Sequence, residues 1–288
     1  MIAIGINYGG HESSAAIVRD GAVVFAAAEE RFSRVKQDPA FPALAIKAAL
    51  KETGLRDTDI DVVALCWPLT PSYWLHDLKL FATGDFARSR SRAKKLAAQA
   101  LSLGNLRGKF QRRYESHFAP PRQGYVYSDH HAAHALSAFY LAASDNAACV
   151  VFDGRGTTEA TTIWRLADGK PEKLFERSFP DSIGVMYANA TRLLGFQPLS
   201  DEWKVMGLAA YGQPGADLGA FMRKDGWELG FKGRHFIPAN DHERSPFEQA
   251  FAAFARAPDA PIEPKHMDFA AAVQLACEQA MLSYARRA

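Results

Sequence analysis

Cysteine is scarce: Cys66, Cys149 and Cys277 are the only three in 288 residues, and no two have C-x-x-C spacing. Cys66 and Cys149 sit inside apolar, strand-like runs, so they read as reduced core thiols, as a cytoplasmic protein would have. Long hydrophobic runs are also missing, and no stretch approaches the length that spans a bilayer. The N-terminus, Met1-Ile2-Ala3-Ile4-Gly5-Ile6, has neither a basic lead-in nor a cleavage pattern and is not read as a signal peptide. Charge of one sign does not dominate either. A net charge of +2 argues neither for nor against an acidic partner. What remains is an ordinary globular composition, 48% hydrophobic and 23% charged, in a length that suits one large domain or two smaller ones.

The chain opens as three strands: Ile2 to Asn7, Ala15 to Val18 and Ala22 to Ala28. Asp20-Gly21 is a hairpin signal between the last two. The turn Tyr8-Gly9-Gly10-His11-Glu12-Ser13-Ser14 separates the first two. Its backbone N–H groups could cradle an anion, but an ordinary hairpin turn is the favoured reading. Glu29 to Asp38 is too charged and irregular for a core element. A helix follows at about Ala43 to Thr53, then a strand at Ile60 to Trp67. Strands, helix and strand in this order suit an α/β domain.

From Arg88 to Arg113 there are nine Lys or Arg and no acid. Such a stretch can serve nucleic acid or a membrane surface. With Phe110 its only aromatic, it makes a poor single-strand binder and is read as a solvated helical insertion at about 85–116. Beyond it come a strand at Gly124 to Tyr127 and a helix at Ala132 to Ala143. A three-strand meander follows, Cys149 to Phe152, Glu159 to Arg165 and Lys173 to Arg177, with turns at Asp153-Gly154 and Asp168-Gly169. The meander repeats the opening pattern of strands joined by Gly-containing turns, which is compatible with an internal pseudo-repeat but does not prove one. A helix at Ser182 to Leu194 comes next, and Trp227 to Phe231 with His235 to Pro238 reads as a hairpin across Gly233. A short helix is expected at Phe247 to Phe254. The division expected is 1–256, then a Pro-rich linker and an amphipathic helix in 257–288 that lead to a missing second half.

Asp129-His130-His131-Ala132-Ala133-His134 holds the chemistry. His130 and His134, four apart, share one face of a helix that starts here. Asp153, at a strand end, could join them, and two His with one Asp suit a divalent metal. The bland reading has Ser128 and Asp129 as helix caps and His131 as a solvated neighbour. No Glu follows the first His, so the zinc-protease pattern is set aside.

Several stretches in order resemble the ATP-dependent O-carbamoyltransferases of antibiotic and nodulation-factor biosynthesis. They are Gly5-Ile6-Asn7 with His11-Glu12-Ser13-Ser14-Ala15-Ala16, and Glu29-Glu30-Arg31-Phe32-Ser33-Arg34-Val35-Lys36 with Phe41-Pro42. His130-His131-Ala132-Ala133-His134-Ala135, Asp153-Gly154-Arg155-Gly156 and Glu202-Trp203-Lys204-Val205-Met206-Gly207-Leu208-Ala209 complete the set. The resemblance implies the N-terminal part of an actin-like ATPase (ribonuclease-H-like) α/β superfold, with a helical insertion. It also implies carbamoyl transfer from carbamoyl-adenylate, made from ATP and carbamoyl phosphate, to a hydroxyl of a small-molecule acceptor.

Position by position, it makes His130, His134 and Asp153 metal ligands, and two His with one Asp suit iron, zinc or manganese. It places His11 and Lys36 at the carbamoyl-adenylate pocket as catalytic residues, and Arg31, Glu202 and Lys204 at substrate-binding positions. An imidazole at His11 could take the acceptor's proton and Lys36 could neutralise the leaving group. Glu12 stands where Asp is commoner, and Arg155 and Trp203 are bulkier than usual. The expected partners are the acceptor and either a C-terminal half or a second copy, with neither membrane nor nucleic acid. Threonylcarbamoyl transfer, another phosphotransferase of the same superfold, and a non-catalytic partner subunit remain the alternatives.

Overall fold

The structure, a computed structural model, describes residues 1–83, 105–142, 144–238 and 243–288. It divides into two units, Met1–Pro71 with the described part of Ala100–Ala133, and the described parts of Ser72–Gln99 and His134–Ala288.

The first unit is built on one mixed sheet. Its strands β1 (Ile2–Asn7), β2 (Ser14–Arg19) and β3 (Ala22–Ala28) form the antiparallel meander expected from the sequence. Asp20 and Gly21 both have positive φ, 50° and 85°. A two-residue hairpin turn needs that conformation to follow the twist of its strands. Strands β4 (Val62–Leu65) and β5 (Tyr125–Tyr127) then add in parallel, giving the order β3-β2-β1-β4-β5. The sheet is mixed, and the fold of this unit is α/β, as expected. Alternate β1 residues Ile4 and Ile6 and β2 residues Ala15 and Ile17 turn inward, where Ala45, Ile46 and Ala49 of α2 (Ala43–Thr53) join them in the core.

The segment expected to be too charged for the core is an exception at one residue. Glu29, just before the helical turn α1 (Glu30–Ser33), is buried, and its carboxylate accepts the N–H groups of Leu44 and Ala45 at 3.0 and 2.7 Å. A negative group there satisfies orphan donors at the start of α2 and favours its dipole. Most of the basic stretch lies outside the described residues. Its described end is helix α4 (Leu106–Glu115), after α3 (Ser72–Thr83) in the chain. α4 is not simply solvated, because Phe110 and Tyr114 are buried against Phe118, Tyr125 and Tyr127.

The second unit holds the expected second meander: β6 (Ala147–Phe152), β7 (Glu159–Ala167) and β8 (Lys170–Ser178), all antiparallel. Its turn again has two positive φ values, at Asp168 and Gly169. Helix α6 (Ile183–Leu193), capped by Ser182, packs with α7 (Glu202–Ala209), α8 (Pro246–Ala250) and α9 (Pro264–Ala285) into an aromatic-rich core. α9, the helix expected after the linker, buries Phe269, Val273, Ala276 and Tyr284 there. One hairpin is displaced from its expected place: it joins β9 (Met222–Asp225) to β10 (Glu228–Phe231) around Gly226, with φ of 58°. Gly233 instead begins a short 3-10 turn, and a Cβ there would lie 2.1 Å from the Pro180 carbonyl oxygen. That glycine serves close approach rather than chain reversal. No helix among the described residues is long and apolar enough to cross a membrane.

Candidate metal centre

Parallel strands deliver their following residues to the same edge of a sheet, where ligands of α/β proteins commonly bind. Here β1 and β4 pair at Ile6 with Leu65, and β4 and β5 at Leu65 with Tyr127. Three segments therefore leave side by side: the His11 turn after β1, Cys66-Trp67 after β4, and Ser128 to His130 after β5. Cross-links fix two of the junctions. The Cys66 thiol donates to Asn7 Oδ1 at 3.3 Å, and Ser128 N–H donates to the Leu65 carbonyl at 2.9 Å.

Helix α5 (His130–Leu141) starts at this edge. Asp129 caps it by accepting the Ala132 N–H at 2.9 Å, so the cap reading holds for Asp129. His131, expected to be solvated, is fully buried. His130 and His134 face the same way one turn apart. One ligand atom from each, together with a carboxylate oxygen of Asp153, lies within 4.8 Å of the other two.

The surroundings suit a metal. The Cys66 carbonyl lies 3.3 Å from His130 Nδ1. A backbone carbonyl beside Nδ1 is the arrangement that orients a histidine to ligate through Nε2. Trp67 stacks on the same ring at 4.0 Å and 10°, which limits its rotation. Asp153 directly follows β6, and its Oδ1 accepts the Gly154 N–H at 2.6 Å, while its carbonyl accepts the Ser182 hydroxyl at 2.8 Å. Two imidazoles and one carboxylate form an N/O donor set that fits iron, zinc or manganese.

The other sequence candidates are spread over both units. His11, Arg31 and Lys36 are exposed on the first, His11 in the turn after β1 and the other two around α1. Glu202 and Lys204 lie on α7, where Glu202 accepts the Leu199 N–H at 2.7 Å and Lys204 pairs with Asp201 at 3.0 Å. Sequence reasoning missed the supporting residues Cys66, Trp67, Ser182 and Glu159. Only Ser182 left a signal, as a serine before a helix-like run. Glu159 is buried, and its carboxylate accepts the N–H groups of Thr157 and Thr158 at 3.2 and 2.8 Å, holding the loop that starts at Asp153.

A family model described as "Carbamoyltransferase N-terminus" matches residues 2–287. The Synechocystis sp. protein sll1178 is 30% identical over 298 residues, covering 97% of this chain and 47% of that protein. Nodulation protein NolNO of Sinorhizobium fredii is 30% identical over 212 residues, 71% of this chain and 28% of that protein. The chain thus spans less than half the length of these relatives. Among solved structures, YeaZ from Pseudomonas aeruginosa aligns at 13% identity and a TM-score of 0.29, covering 63% of this chain and 70% of that one. An Aquifex aeolicus member of the Ppx/GppA family aligns at 12% identity and a TM-score of 0.35, covering 99% and 91%. With the family model matched from end to end of the two units, this chain belongs to the carbamoyltransferase N-terminal domain family.

Proposed function

We propose that this domain moves a carbamoyl group from carbamoyl-adenylate to a hydroxyl of a small-molecule acceptor, at a centre held by His130, His134 and Asp153. The observation that carries the reading is the meeting of these three side chains in a carbamoyltransferase-family domain. A bound divalent cation would supply Lewis-acid polarisation and charge neutralisation at an anionic, activated carbonyl compound.

The chain's own residues take the remaining tasks. His11, exposed at the edge where β1, β4 and β5 end, accepts the proton of the acceptor hydroxyl as its oxygen attacks the carbamoyl carbon. The bond from that carbon to the phosphate oxygen breaks, and AMP leaves. Lys36 offsets the charge on the departing phosphate, and Arg31 binds the same anion. Glu202 and Lys204, both fixed locally on α7, contact the acceptor. Carbamoyl-adenylate formation from ATP and carbamoyl phosphate is assigned to other sequence of the longer relatives.

The test has two stages. Purified protein is analysed for iron, zinc and manganese beside His130→Ala/His134→Ala, with near-stoichiometric metal expected only in the wild type. Pre-formed carbamoyl-adenylate is then offered with hydroxyl acceptors, the remainder of a longer family member being added if needed. Undiminished transfer by the double variant would sink the reading.

A further inference from the structure

The loop 153–158 begins with a proposed metal ligand, and the way it is held includes one residue outside every motif of the sequence. Three of its braces are local to the second meander and α6: the Ser182 hydroxyl on the Asp153 carbonyl, the Glu159 carboxylate on two loop N–H groups, and Gly184 against Gly154. A Cβ at Gly184 would come within 2.8 Å of the Gly154 Cα, so the loop sits directly on the first turn of α6. The fourth brace comes from far away in sequence. Arg155 Nη2 lies 2.6 Å from Asp77 Oδ1 on α3, and the two side chains are 13% and 2% exposed. The Arg155 guanidinium also lies over the Phe179 ring at 4.7 Å.

A buried ion pair is a poor device for stability alone. Two desolvated charges recover their hydration cost only with good geometry, and well-packed apolar side chains at such sites are often as stable or more so. What a buried charge pair does supply is restraint: a guanidinium enclosed between a carboxylate and a ring face has few alternative placements. Arg155 is two residues from Asp153, so fixing its side chain restrains the backbone that aims the Asp153 carboxylate.

We infer that Asp77 is a positioning residue: through Arg155 it holds the Asp153 loop in its metal-binding shape. This inference rests on the proposed metal centre. Groups bonded directly to a ligating side chain typically contribute about 10- to 100-fold in metal affinity, and Asp77 acts one step further out, through Arg155.

Affinity for Zn(II) and Co(II) is measured by chelator competition on the wild type, Asp77→Asn, Asp77→Glu and Arg155→Met. The Co(II) absorption spectrum and the thermal melting of each metal-free protein are recorded alongside. The expected result for Asp77→Asn is lower metal-free melting, because a buried guanidinium loses its carboxylate, together with an affinity loss of about 10-fold and an altered Co(II) spectrum that the lower melting does not account for. Asp77→Glu should recover most of the affinity, and Arg155→Met should match Asp77→Asn. Wild-type affinity in Asp77→Asn would overturn the positioning role and leave the metal centre standing. So would a loss explained entirely by lower melting of the metal-free protein and not restored by Asp77→Glu. If neither the wild type nor any variant binds either metal, the metal centre itself fails, and this inference with it.

Discussion

The two antiparallel meanders share a topology and are stabilised differently. β1-β2-β3 and β6-β7-β8 each turn between their last two strands on an Asp-Gly pair with positive φ. Their first loops differ. Tyr8 to Ser13 carries two exposed glycines and an exposed His11, whereas the Asp153 loop is tied by Glu159, Ser182 and Asp77. The third strands differ as well. β3 is Ala-Val-Val-Phe-Ala-Ala-Ala with no charge, while β8 carries Lys170, Glu172, Lys173, Glu176 and Arg177. Arg177 reaches the buried Glu228, which also receives Arg223 and Tyr284. Strand order alone therefore does not set how a loop is held. Buried carboxylates that collect backbone N–H groups and cations hold the second one, and Glu159 and Glu228 both lie in that unit.

Removing Glu228 should be the most damaging way to erase that contrast. Glu228→Ala leaves two partly buried guanidinium groups without their carboxylate, and about 3–5 kcal/mol of stability should be lost in urea unfolding. A loss under about 1 kcal/mol would show that the network is not what secures β8. Acid should act on the same group. Burial raises the Glu228 pKa, but hydrogen bonds from Arg177, Arg223 and Tyr284 more than offset this and hold it below its ordinary 4.5. A depressed carboxyl contributes stability that is present above the unfolded pKa and lost as pH falls through the folded one. The wild type should therefore lose more stability than Glu228→Gln on acidification below that ordinary value.

Glu159→Ala comes next. It deprives two loop N–H groups of their acceptor and should cost about 2–3 kcal/mol, read by the same unfolding curves. In the first meander the largest comparable effect is smaller: Glu29→Ala removes a cap from α2 and should cost about 1–2 kcal/mol. His11→Ala should shift stability by no more than about 0.5 kcal/mol, since the side chain is exposed, while abolishing carbamoyl transfer. A large stability loss from His11→Ala would make the two loops alike and remove the contrast.

Residues read correctly from sequence were those whose behaviour is local. Asp20-Gly21 and Asp168-Gly169 announce turns because few residues tolerate positive φ at two successive positions. His130 and His134 share a face because the helix period is fixed. Gly233 misled because a glycine needed for close approach to Pro180 looks the same in sequence as one needed for a turn. Glu29 misled because a charged residue reads as solvated until the helix N-terminus that buries it is in place.

The sequence by itself determined the α/β alternation, both meanders, the helix that presents two histidines and the family to which the chain belongs. Tertiary structure alone decided that the Cys66 carbonyl orients His130, that Asp153 meets the two histidines, and that Asp77 reaches Arg155 across 78 positions. The physical reason is separation along the chain. Local conformation follows from steric limits on neighbouring residues, whereas these contacts exist only once strand order and burial have brought distant segments together.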